Sequence, residues 1–155
     1  MRRINLATAA FAVLGMLVVT SPARAAEPTR EQAIEHLKGL LAALEAKDYD
    51  KAATFFAMPP KATPEQLKAT LPKVLELKEL SAEGIEAIAE QGKWGKLTEV
   101  AGERGGARWA TRFGVKPDEC YALVSTPGEA AFHWDGTKLR MIRCDDIGKL
   151  RKGAK

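Results

Sequence analysis

The chain has 155 residues, with 24 Lys and Arg against 20 Asp and Glu, two histidines and two cysteines. That length fits one domain with a proper core, and two scattered histidines, His36 and His133, are too few for a zinc signature, so no metal or other cofactor is assigned. The formal charge of +4 sits at the chain's two ends; it is no clustered basic face of the kind nucleic acid requires, and nucleic acid is not expected as a partner.

Met1-Arg2-Arg3 forms a positive start, Leu6 to Val19 an apolar run, and Ala23-Arg24-Ala25 a small-x-small cleavage site. Together they predict a secretory signal peptide over 1–25, with the mature chain beginning near Ala26 and exported to a periplasmic or extracellular space. A membrane anchor is the alternative, but the apolar run is shorter than the roughly 20 residues of a spanning helix. No transmembrane segment is expected in the mature chain. Without Arg2, Arg3 and Arg24 the balance is 21 basic to 20 acidic residues. Setting aside Lys149, Arg151, Lys152 and Lys155 leaves 17 to 20 and a mildly acidic body. The expected organisation is a leader over 1–25, one α+β domain over 26–148, and a basic tail over 149–155.

Thr29-Arg30-Glu31-Gln32 reads as a capping box opening the first helix. Ile34, Leu37, Leu41 and Leu44 recur at helical spacing, with Ala33 and Leu40 widening the stripe. His36 falls off that stripe and is expected at the surface with no role. A short second helix is predicted from Tyr49 to Ala57, stopped by Pro59-Pro60. Thr63-Pro64-Glu65-Gln66 is a second capping box, followed by Leu67, Leu71, Val74 and Leu75 and interrupted by Pro72, where a kink or break is expected. Ser81 caps a helix carrying Ile85 and Ile88, ended by Gly92. Leu97 to Val100 fits either one helical turn or a short strand. Ala107 to Phe113 reads as a helix with Gly114 as its C-cap.

From Tyr121 to Cys144 the apolar period changes to two. Thr126-Pro127-Gly128-Glu129 carries type II turn chemistry, and Asp135-Gly136 is a two-residue hairpin signal. The result is a three-stranded antiparallel meander on which the N-terminal helices pack. Short loops would pair Trp134 with Thr137, Phe132 with Leu139 and Ala130 with Met141. Phe132, Trp134, Leu139, Met141, Tyr121 and Leu123 then share the core face, with Trp134 buried between sheet and helices, while His133, Lys138 and Arg140 point outward. In a meander Cys120 and Cys144 lie at opposite ends, about 20 Å apart at about 3.3 Å per residue. That exceeds what a disulfide spans, and two free thiols are expected.

The run Ala-Leu-Glu-Ala-Lys-Asp-Tyr-Asp-Lys-Ala-Ala after a helix, followed by more helices and by strands with Trp-Asp-Gly near the end, resembles small exported nuclear-transport-factor-two-like (cystatin-like α+β) domains. The similarity rests on Leu44 to Phe56 and Ala130 to Ile142. It implies a curved sheet wrapped around a long helix, leaving a conical pocket. The group includes enzymes and non-enzymes, so the resemblance implies no activity, and no catalytic residue carries over.

A Cys–His dyad of His133 with Cys120 or Cys144 competes with a packed cysteine beside a surface histidine, and the second reading is preferred. Asp145 and Asp146 with His133 offer too few oxygen ligands for a hard cation. Gly102, Gly105 and Gly106 match no phosphate-binding pattern. The aromatic set Trp109, Tyr121, Phe132 and Trp134 is the best source of a ligand-lining surface. The residues selected as ligand-binding are Trp109, Tyr121, His133 and Trp134, with no catalytic residue. The expected function is an exported small binding or accessory domain, non-enzymatic, for an unknown small molecule or envelope protein. The alternatives are a small pocket-type hydrolase or isomerase, and a structural partner in an envelope complex whose basic tail touches anionic lipid or polymer.

Overall fold

A computed structural model describes residues 26–76, 80–126 and 128–150. The segment read as a leader (1–25), residues 77–79, Pro127 and the end of the segment read as a basic tail (151–155) lie outside the described residues. Among the described residues six α-helices, α1 (Arg30–Glu45), α2 (Tyr49–Ala53), α3 (Pro64–Glu76), α4 (Ala82–Gln91), α5 (Leu97–Val100) and α6 (Glu103–Phe113), accompany four strands. The strands are β1 (Lys93–Lys96), β2 (Cys120–Val124), β3 (Glu129–Trp134) and β4 (Leu139–Asp145), paired antiparallel in sequence order. The architecture is α+β, with one strand more than expected. β1 is Lys-Trp-Gly-Lys, with a single large apolar residue. Such a strand is defined by its edge pairing with β2, Trp94 opposite Leu123, and not by any pattern of its own.

Local signals that need no distant partner fold as read. Thr29 and Gln32 exchange both capping-box bonds, Thr63 and Gln66 do the same, and the Ser81 hydroxyl accepts from the Gly84 N–H. Gly114 closes α6 in the left-handed conformation at φ 67°. Pro72, by contrast, does not divide α3, which runs through it. Proline removes only its own N–H bond, and the flanking turns hold.

Helix α2 stops at Ala53, earlier than the sequence suggests. The next residues tighten into turns, with the N–H groups of Thr54, Phe55 and Phe56 bonded three residues back, and then bridge to β4: Met141 N–H donates to Phe55 O at 2.7 Å, and Ala57 N–H donates to Met141 O at 2.9 Å. Backbone pairing with the sheet satisfies groups that another helical turn would otherwise have used.

Both hairpins close differently from the predicted turns. Ser125 N–H donates to Gly128 O at 2.8 Å, and Gly128 lies against Leu150 outside the left-handed region. In the second hairpin Trp134 pairs with Leu139, and Gly136 (φ 96°) and Thr137 form the tip. Asp135 Oδ1 explains the shift: it accepts from the backbone N–H groups of Thr137 and Lys138 and from the Thr137 hydroxyl, an Asx turn that seats Asp135 at the strand end. Phe132 therefore faces Met141. A slip of two residues keeps every side chain on its predicted face. Beyond it a bulge at Ile142 moves the partner of Ala130 to Cys144.

The sheet is covered on both sides. On one face Leu123, Ala130, Phe132 and Met141 pack against Leu37, Leu40 and Leu44 of α1, Leu71 of α3, and Ile85 and Ile88 of α4. On the other, Cys120, Ala122, Ala131 and Ile142 meet Leu97 of α5 and Ala110 of α6. The sequence placed helices on the first face only. The second face is built mainly from small residues, which let a helix approach closely but give little hydrophobic pattern. Leu150 is buried in the first core, so the domain extends past residue 148 into the segment read as tail. No disulfide joins Cys120 and Cys144, which lie opposite His133 and Ala130. Among the described residues no helix is long and apolar enough to cross a membrane.

Candidate functional site

Two clefts flank the Trp134 side chain at the hairpin end of the sheet. The first, about 580 Å³, lies between α1 and the β3–β4 hairpin. Gln32, His36, Thr54, Phe55, Trp134 and residues Thr137 to Arg140 line it. The second, about 490 Å³, is lined by Glu27, Lys96, Asp118, Glu119, Tyr121, His133, Trp134, Asp135 and Gly136.

His36 is half-buried, which corrects its expected place at the surface. Its Nε2 lies 2.8 Å from Phe55 O, the carbonyl that also receives the β4 bond from Met141. A carbonyl only accepts, so Nε2 carries the proton and Nδ1 keeps its lone pair in the neutral ring. Burial, with a smaller contribution from the Arg140 charge, lowers the pKa of His36, while the bond to Phe55 O opposes that shift. The ring meets Phe55 and Phe132 edge-on, with centroids 4.9 and 5.5 Å apart. The sequence did carry a signal for this placement. His36 precedes Leu40 by four and Ala43 by seven, and both are buried, so it lies at the margin of the core stripe.

Trp134 was expected to be enclosed between sheet and helices. It is half-buried and forms part of both cleft walls, with its ring against the first core. Its indole Nε1 is buried and has no hydrogen-bond partner among the described residues. An unmade bond of this kind costs about 1–3 kcal/mol.

Charge separates the clefts. Lys138 and Arg140 line the first, and among the described residues no carboxylate does. Asp135, the nearest acid to Arg140, approaches its Nε only to 3.7 Å while its other oxygen is engaged in the turn. The backbone N–H groups of Lys138 and then Thr137 hold the Asp135 carboxyl down to about 2. Four carboxylates line the second cleft. There Lys96 Nζ donates to Tyr121 Oη at 2.5 Å and to Asp118 O at 2.9 Å, and pairs with Glu27 at 3.2 Å. Desolvation works against the Lys96 charge, but these bonds outweigh it and its pKa is raised. Tyr121 in turn stacks on Trp94 at 5.6 Å.

Of the residues selected from the sequence, Tyr121, His133 and Trp134 meet in the second cleft. Trp109 does not join them. It packs on the sheet face opposite Tyr121 and Trp134, under the guanidinium groups of Arg143 at 4.7 Å and Arg112 at 5.3 Å. His133 turns to Glu119, 3.3 Å away, whose carboxyl is held below its usual range first by Lys116 and then by His133. Cys120 lies directly across the ladder from His133, closer than the sequence register placed it. Its thiol nevertheless donates to Lys116 O, and burial, aided by Glu119 and Asp118, pushes it up to about 11. A protonated thiol turned toward a carbonyl is not a nucleophile. Asp145 is paired with Arg143, and Asp146 with Lys149.

No protein-family model, curated protein or solved structure matches this chain.

Proposed function

We propose that this is an exported, non-enzymatic binding domain whose ligand occupies the cleft between α1 and the β3–β4 hairpin. The observation that carries the reading is the Trp134 indole N–H, a buried donor without a bond among the described residues, in the wall of a cleft that also holds a neutral histidine and an arginine. A ligand acceptor that draws the indole toward the cleft forms a bond the fold alone leaves unmade. Apolar walls with a few convergent polar groups are the usual composition of a small-molecule site. A cleft between the long first helix and the sheet is also where the nuclear-transport-factor-two-like resemblance puts a pocket.

The second reading is a small isomerase or hydrolase using the same cleft. His36 favours it, because Nδ1 of a neutral, backbone-anchored imidazole can act as a general base. Among the described residues no carboxylate lines the cleft to serve as a second proton-transfer group, and the thiol of Cys120 is protonated. Binding is therefore the stronger reading.

Native mass spectrometry of protein purified from its own host tests this. The expected spectrum carries a small-molecule adduct that is lost on denaturation and absent from Trp134→Ala, on a chain beginning at or near Ala26. A bare polypeptide mass in the wild-type protein overturns the binding reading. An intact leader overturns export.

A further inference from the structure

We infer that the ligand of the α1–hairpin cleft is a small organic carboxylate that also bears a hydroxyl group, with its carboxylate on Arg140 and its hydroxyl donating to His36 Nδ1. This deepens the binding reading above and rests on it.

The sign of the charge comes from the lining. Lys138 and Arg140 bring two cations, and among the described residues no acidic side chain lines the cleft. Arg140 keeps donors for a ligand because its ion pair among the described residues, with Asp135 Oδ2, stands 3.7 Å from Nε, beyond hydrogen-bond distance. A guanidinium with unused donors matches a carboxylate in planar, bidentate fashion.

The hydroxyl follows from His36. With Nε2–H committed to Phe55 O, the ring presents a lone pair, and a lone pair repels a bare carboxylate. It accepts from a donor. Burial and the Arg140 charge both keep the ring unprotonated, so His36 cannot serve as a third cation. The middle of the site is aromatic: Phe55 and Trp134 provide flat apolar walls for the body of the ligand. Each end of the molecule is thereby specified by a different group, as a cleft of about 580 Å³ permits for a ring-sized compound.

The test uses four probes on the full mature chain: 4-hydroxybenzoate, benzoate, methyl 4-hydroxybenzoate and 4-hydroxybenzamidine. The readout is the indole N–H resonance of Trp134 in 1H–15N spectra, assigned with Trp134→Phe. 4-Hydroxybenzoate is expected to shift that resonance saturably. Benzoate should bind at least fivefold more weakly, and the ester and amidine at least tenfold more weakly. Arg140→Gln, at a side chain 41% exposed and safe for folding, should remove the preference for the acid over the ester. Equal binding of benzoate overturns the hydroxyl assignment. Equal or tighter binding of the ester or amidine overturns the carboxylate assignment and leaves the cleft a binding site for another class. Silence from all four overturns the ligand class. The binding reading itself stands or falls separately, on whether the native spectrum is bare.

Discussion

On one side of the Trp134 ring, His36 stands among two cations and two aromatic walls and gives its proton to a backbone carbonyl. On the other, His133 stands among four carboxylates and gives its ring nitrogen to one of them, Glu119. The same side chain thus takes two forms within one sheet end. Where a carbonyl is the partner and the surroundings are apolar, the neutral ring is favoured and a lone pair is left for a ligand. Where a half-exposed carboxylate is the partner, the ring nitrogen is already taken by that contact, and a contact to an exposed carboxylate contributes little. The difference teaches that a histidine's capacity for chemistry follows from what already occupies its other nitrogen.

Emptying the aromatic site behind His36 tests this contrast most severely. Phe132 has no exposed surface and meets His36 edge-on, so Phe132→Ala should cost about 3–5 kcal/mol in denaturant melts. It should also open the first cleft to water, so that His36 titrates closer to an ordinary histidine. A cost below about 1 kcal/mol would show that Phe132 is not the packed support of the His36 ring.

His36→Ala comes next, at about 1–3 kcal/mol, since Phe55 O keeps only its bond from Met141. The pH dependence has a definite sign. The pKa of His36 is lowered on folding, so the unfolded chain binds the proton first. The stability held by the neutral ring is complete above about pH 6.5 and is lost as pH falls through the depressed folded value. The difference between wild type and His36→Ala should therefore narrow between pH 7.5 and 5. Asp135, held down to about 2, contributes its change only below about pH 4, outside that window. A difference that widens on acidification would mean that His36 is held charged.

His133→Ala should have the smallest effect, under about 1 kcal/mol, and should shrink further in high salt, because Glu119 is 39% exposed. If it proved more damaging than His36→Ala, the roles of the two clefts would be reversed and the second would become the first to probe with ligands.

The order of these effects could not be read along the chain, where His36 passes for a surface residue and His133 stands amid the aromatic set. Helix starts could be read, because a capping box closes within four residues and Thr29, Thr63 and Ser81 need nothing beyond their own turn. The faces of β3 and β4 could be read as well, since alternation survives a register slip of two. Trp109 could not be separated from Tyr121 and Trp134, because pattern does not report which side of a sheet a helix covers.

Tertiary contact decided the rest, and always through groups distant in sequence. β1 exists because β2 pairs with it, and α2 ends where β4 claims the Phe55 carbonyl. Gly84 reads locally as an indifferent helix glycine. A Cβ there would stand 1.5 Å from Ile147 O, so the close packing of α4 on the chain end requires it. The amino-acid sequence by itself determined caps, turn chemistry and the period of each element, because those energies are settled within a few residues. The site needed α1, the Phe55 segment and the hairpin to converge on one carbonyl, and that meeting is set by packing across the whole chain.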